Sequence, residues 1–125
     1  MTDLGGRVIL VVEDEYLIAE EAAWMLQQAG AEVLGPVGTL SGALALLKTV
    51  DRLDGAVLDI NLHHETVYPL AEALDARGVP YVFLTGYDMT MLPERYQHVL
   101  QCGKPIEQAH LVGIIARQIS FRSSS

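Results

Sequence analysis

The stretch Gly55-Ala56-Val57-Leu58-Asp59-Ile60-Asn61-Leu62 constrains this chain more than any other. The apolar residues Ala56 to Leu58 run straight into Asp59, and apolar positions resume on either side of Asn61. A short continuous apolar run reads as a strand buried on both faces of a parallel sheet. A carboxylate has no structural reason to sit inside such a run. It has one at the carboxyl end of the strand, where α/β sheets open into a ligand-binding crevice. The alternative, that Asp59 merely caps the next turn, is weighed by the rest of the chain.

Arg7-Val8-Ile9-Leu10-Val11-Val12 is a second such run, and it too ends abruptly in carboxylates, Glu13-Asp14-Glu15. The next segment sets Ile18, Ala22, Met25, Leu26 and Ala29 on one helical face, with Glu20 and Glu21 near its front and Gly30 as its stop. Ala31 to Val37 predicts a strand that Gly35-Pro36 bends or ends. Thr39 is an N-cap for a helix burying Leu40, Ala43, Leu44 and Leu47. After the Asp59 strand, a helix starting at Thr66 or its neighbours takes Pro69 in its first turn and turns Leu70, Ala73 and Leu74 inward. Gly78 ends it. Val79 to Leu84 predicts the next strand, followed by Thr85-Gly86, and Asp88 to Arg95 a short helix interrupted by Pro93. His98 to Gln101 predicts a short strand leading to Lys104-Pro105, and a last helix carries Leu111, Ile114, Ile115 and Ile119. The order βαβαβαβαβα with short connections predicts a parallel sheet covered by helices on both faces, a three-layer α/β sandwich. Residues 1–125 read as a single domain, with its core over about 6–120 and a frayed tail over 121–125.

The 8 basic and 16 acidic residues leave a net charge of −8. That balance speaks against nucleic-acid binding through phosphates and against docking on an anionic membrane. The single Cys102 excludes an internal disulfide, fits a reducing cytosol and reads as a small buried hydrophobe. Met1 to Gly6 lacks the basic start and apolar core of a secretory signal, and no apolar run reaches transmembrane length. A cytoplasmic protein is the expectation.

In a parallel sheet all carboxyl ends share one rim, so Glu13, Asp14, Asp59, Thr85 and Lys104 should converge there. Carboxylates packed this closely repel one another. A hard divalent cation resolves the conflict, and Mg²⁺ prefers a few carboxylates plus waters. A carboxylate beside Mg²⁺, a lysine and a hydroxyl is suited to accept a phosphoryl group: metal and lysine neutralise its oxygens while Thr85 donates a hydrogen bond. His63-His64-Glu65, in the loop after the strand, reads as solvated surface.

The set Val11-Val12-Glu13-Asp14-Glu15, Val57-Leu58-Asp59-Ile60-Asn61-Leu62, Phe83-Leu84-Thr85-Gly86-Tyr87 and Lys104-Pro105 resembles the receiver (CheY-like) domain of two-component response regulators. The resemblance covers nearly the whole chain. It implies a flavodoxin-like (βα)5 fold with a five-stranded parallel sheet in the order 2-1-3-4-5. It also implies that Asp59 accepts a phosphoryl group from a sensor histidine kinase or histidine phosphotransferase. Asp14 matches the acid that ligates Mg²⁺ directly, Glu13 the one that reaches it through water, and Asn61 the residue whose backbone carbonyl coordinates it. Thr85 and Lys104 match the switch hydroxyl and the phosphate-binding lysine, and Lys104-Pro105 a cis peptide. A phosphorylated receiver switches protein–protein contacts, here with an unidentified downstream protein, and homodimerisation is left open.

One position departs from the common pattern: Gln101 stands where receivers usually carry the aromatic partner of the switch threonine. Phe83 to Tyr87 is instead similar to the atypical FATGUY receivers, which lack that aromatic and often act alone with HWE-type kinases. Tyr87 is a candidate replacement, within a loop from Gly86 to Glu94 expected to reorder with Thr85. Two rivals stand beside this reading. A haloacid-dehalogenase-like phosphohydrolase would need an Asp two residues after the nucleophile, where this chain has Asn61. A pseudo-receiver would bind partners without taking phosphate, although all the acid-pocket positions carry competent residue types. A Gly-rich phosphate loop is missing after the first strand, which disfavours nucleotide binding.

Overall fold

The computed structural model describes residues 4–86 and 92–123, with side chains through 120. Five parallel strands, β1 (Val8–Val12), β2 (Glu32–Val37), β3 (Gly55–Asp59), β4 (Tyr81–Thr85) and β5 (Gln101–Gly103), form one sheet in the order 2-1-3-4-5. The alternation of side chains splits the core into two halves. Leu10, Val12, Ala56, Leu58, Tyr81 and Phe83 face the side covered by α2 (Leu40–Leu47) and α3 (Tyr68–Ala76). Ile9, Val11, Val57, Val82 and Leu84 face the side covered by α1 (Tyr16–Gln28) and α4 (Gln108–Ser123). Most of these strand residues lose all contact with water, which is why the runs are continuously apolar rather than alternating. The fold is the flavodoxin-like α/β sandwich of CheY-like proteins.

The helix stops follow from glycine. Gly30 (φ 98°) and Gly78 (φ 70°) take the left-handed conformation just past α1 and α3. Both sites close a Schellman motif: Ala31 N–H donates to Leu26 O and Gly30 N–H to Gln27 O, and Val79 and Gly78 do the same to Leu74 and Asp75. At the other end of α2, the Thr39 hydroxyl accepts the Gly42 N–H at 3.0 Å. Thr39→Ala is expected to cost about 1 kcal/mol, read as a lower denaturant midpoint with an unchanged slope.

Several boundaries differ from the sequence expectation or settle an alternative it left open, each for a local reason. Glu20 and Glu21 fall in the second turn of α1, because the helix starts at Tyr16, so they sit beyond the strongest part of the dipole. Gly35-Pro36 bends β2 without ending it: Gly35 has φ 94°, the Gly35–Pro36 peptide is cis, and pairing resumes at Val37 opposite Val12. Of the start at Thr66 or its neighbours, the neighbours hold: Thr66 pairs with Asn61 in a small antiparallel hairpin, Asn61–Leu62 with Glu65–Thr66, and α3 begins at Tyr68 after Val67. β4 begins at Tyr81 rather than Val79, because the Val79 N–H closes the end of α3 and Pro80 has none to give. β5 is Gln101–Gly103 rather than His98–Gln101, because the Val99 N–H turns back to Tyr96 O and the Phe83 N–H takes Leu100 O. Leu4, outside the expected core, is buried beside α1.

Of the expected helix over Asp88 to Arg95, residues 88–91 lie outside the described residues; from Pro93 the described residues form only a 3-10 turn, Glu94–Tyr96. Tyr96 anchors that turn. Its ring stacks on Tyr68 at 4.8 Å and 7°, and Phe83 meets the pair edge-on at 6.4 and 6.1 Å. Offset or edge-on aromatic contacts add about 0.5–1.5 kcal/mol each beyond their burial. They tie the turn to α3 and to β4, the strand that carries Thr85. Among the described residues no helix is long and apolar enough to cross a membrane.

Candidate functional site

The parallel ladders deliver the polar residues to one edge. Glu13 extends β1 by one step, its N–H donating to Val37 O at 3.0 Å, and Lys104 extends β5, its N–H donating to Thr85 O at 2.9 Å. Asp59 lies between them at the end of β3, opposite Leu84. Glu13 and Asp59 are 2% and 6% exposed, the only buried charged residues among those described.

Lys104 is the hub. Its Nζ lies 3.0 Å from Glu13 Oε2, 3.1 Å from Glu15 Oε1 and 3.3 Å from Asp59 Oδ2. Glu13 Oε1 accepts the Glu15 N–H at 3.1 Å, and Asp59 Oδ1 accepts the Asn61 N–H at 3.3 Å. Asp14, at the rim, receives the His63 N–H on Oδ2 at 2.9 Å, with the His63 Nδ1 3.3 Å from the same oxygen. Glu15 stands at the N-cap of α1, yet its side chain makes no capping bond; the carboxylate is turned to the lysine instead.

The charges strain one another. Burial, reinforced by neighbouring Asp59, pushes the Glu13 carboxyl up to about 8. Burial also raises Asp59, against the opposing pull of Glu13 and Lys104. Asp14 moves the other way: burial would raise it, but hydrogen bonding with Glu13 and from the His63 backbone holds it below the usual carboxylate range. For Lys104, burial works against the charge, and the surrounding carboxylates outweigh it and hold the ammonium above the usual lysine range.

A cation fits this donor set. One carboxylate oxygen from each of Glu13, Asp14, Glu15 and Asp59 lies within 4.8 Å of the others. Glu13 Oε2 is buried without an aligned hydrogen bond, its partner being the Lys104 ammonium as an ion pair alone. One ammonium faces several carboxylates, all of them oxygen donors of the kind that hard cations such as Mg²⁺ select. Glu13, Asp14 and Asp59 can hold it.

The predicted residues Glu13, Asp14, Asp59 and Lys104 come together. Asn61 is placed beside Asp59 through its backbone N–H, and Thr85, half-buried, ends β4 next to Lys104. The Lys104–Pro105 peptide is cis. Tyr87 lies outside the described residues, and Gln101 is half-buried on β5. Two contacts escaped the sequence. Glu15 reaches Lys104 across 89 positions, which no local pattern announces. His63, read as plain solvated surface, is 72% exposed yet sits on Asp14. The signal available for it was a non-glycine residue at a tight turn four positions after Asp59.

No protein-family model matches the chain. Solved structures and curated proteins do. The chain is 35% identical to SdrG from Sphingomonas melonis Fr1, covering 95% of this chain and 99% of that one, with a TM-score of 0.81. It is 27% identical over 120 residues to the phyllosphere-induced regulator PhyR of Methylorubrum extorquens, covering 94% of this chain and 45% of PhyR. A response regulator receiver protein from Sinorhizobium medicae, 22% identical over 94% of this chain and 97% of that one, shares the fold with a TM-score of 0.75. The chain spans less than half the length of the curated relatives it matches. An acid pocket at the carboxyl edge of a 2-1-3-4-5 sheet is the arrangement of CheY-like receivers. The chain belongs to the receiver-domain family of two-component response regulators.

Proposed function

We propose that this receiver accepts a phosphoryl group on Asp59 from a sensor histidine kinase or histidine phosphotransferase, in a Mg²⁺-dependent reaction that switches its contacts with a downstream protein. The observation that carries the reading is the position of Asp59: buried at a strand end, among carboxylates and 3.3 Å from the Lys104 ammonium. In the transfer, an Asp59 oxygen attacks phosphorus as the bond to the donor imidazole nitrogen breaks, and the imidazole leaves. Lys104, already at the mouth of the pocket, exchanges a carboxylate partner for a phosphoryl oxygen. The Thr85 hydroxyl donates to another. Glu13, Asp14, Asp59 and the Asn61 carbonyl would hold Mg²⁺, which supplies neutralisation of charge on the phosphoryl oxygens.

The domain acts in the cytoplasm as a phosphorylation-controlled interaction switch rather than an enzyme with turnover. It resembles FATGUY receivers, and that points to an HWE-type kinase. SdrG, with 35% identity, has also been solved in a BeF3-activated conformation, which supports the same chemistry here. The test is intact mass after incubation with acetyl phosphate or phosphoramidate, with and without Mg²⁺. A Mg²⁺-dependent gain of one phosphoryl group is expected. No gain, together with no beryllofluoride binding, would leave a phosphate-independent interaction module instead.

A further inference from the structure

We propose that His63 is a positioning residue of the metal centre, clamping the outer oxygen of Asp14 so that the other oxygen is aimed at the cation. The inference rests on the reading of the acid pocket as a Mg²⁺ site. His63 forms the turn of the hairpin between Asn61–Leu62 and Glu65–Thr66, with φ 56°. That conformation is uncommon for a residue other than glycine. It brings the backbone N–H and the ring onto the same atom: N–H to Asp14 Oδ2 at 2.9 Å, Nδ1 to Oδ2 at 3.3 Å.

The clamp stands on firm support. Leu62 is 2% exposed and Val67 N–H donates to Ile60 O at 2.9 Å, so both ends of the hairpin are fastened to the core. The backbone hydrogen bond, with the ring nitrogen packed 3.3 Å from the same oxygen, restricts rotation of the Asp14 carboxylate and leaves Oδ1 for coordination. Partners that orient a metal ligand in this way typically contribute about 10- to 100-fold to metal affinity. The imidazole is 72% exposed and competes with water, so the effect here falls below that range.

Calorimetric titration with Mg²⁺ of the wild-type chain, His63→Gly and His63→Asn tests the inference. Glycine keeps the N–H and relaxes the left-handed turn while removing the ring. Asparagine tolerates the turn and places an amide N–H near the position of Nδ1. The dissociation constant is expected to rise about threefold to tenfold in His63→Gly and to return most of the way in His63→Asn. An unchanged constant in His63→Gly overturns the role of His63 and leaves the pocket reading intact. A weakening that asparagine does not repair assigns the effect to the turn and overturns the role of the ring. With Mn²⁺ as the probe, a directly bonded nitrogen in the spin-echo spectrum makes His63 a ligand and overturns the clamp. A wild-type chain that binds no Mg²⁺ defeats both this inference and the metal-site reading beneath it.

Discussion

Asp59→Asn is expected to stay unlabelled under conditions where the wild-type chain gains one phosphoryl group, a complete loss rather than a graded one. An amide offers no nucleophilic oxygen anion to phosphorus, and no neighbouring group substitutes for it. Glu13 is ion-paired and buried, Asp14 is held by His63, and Glu15, 60% exposed, is tied to Lys104 at 3.1 Å. The substitution is nearly isosteric, and the Asn oxygen can still accept the Asn61 N–H that Asp59 Oδ1 accepts at 3.3 Å. The fold should therefore survive. Removing the Asp59 charge also takes away the part of the Glu13 shift that adds to its burial. Circular dichroism and a denaturant titration beside the mass measurement separate lost chemistry from lost structure. Labelling that persists in a folded Asp59→Asn chain would place the acceptor elsewhere.

Lys104→Ala should be the most destabilising change in the pocket of the metal-free protein. Its ammonium is the cation shared by Glu13, Glu15 and Asp59, and it is itself only 12% exposed. Removing one partner of a buried ion pair costs about 3–5 kcal/mol, because the partner charge is left in a medium that cannot solvate it. The cost is softened because the Glu13 carboxyl, raised to about 8, is mostly protonated at neutral pH and leaves little charge stranded there. The expected loss is therefore at the lower end, about 3 kcal/mol. Added Mg²⁺ should recover part of it, because a ligand that binds only the folded state stabilises by mass action. An unchanged denaturant midpoint in Lys104→Ala would show that the lysine contributes no net stability.

The framework was legible because it is written in short-range patterns. Val8–Val12 and Gly55–Asp59 are apolar without interruption because both faces of their strands are covered, and Gly30 and Gly78 stop helices because the Schellman turn needs a left-handed residue. The site was legible for a related reason: a carboxylate at the end of a buried run has nowhere to go but the sheet edge. Less was legible where one local signal competed with another. Thr66 resembles a helix start but was claimed by the hairpin, and His98 to Gln101 looks like a strand although a turn at Tyr96 shifts the pairing to Gln101–Gly103. The aromatic contacts around Phe83 unite residues from α3, β4 and the 3-10 turn, and no window of sequence contains all three.

Periodicity and strand-end chemistry in the sequence were enough for the layer architecture, the parallel sheet and the convergence of Glu13, Asp14, Asp59, Thr85 and Lys104 at one rim, while the strand order came only from the resemblance to receiver domains. The tertiary structure alone decided who holds whom within that rim. Lys104 meets Glu15 across 89 positions and Asp59 across 45, and His63 meets Asp14 across 49. Such contacts depend on strand register and on the direction of single side chains, which the packing of the whole sheet sets.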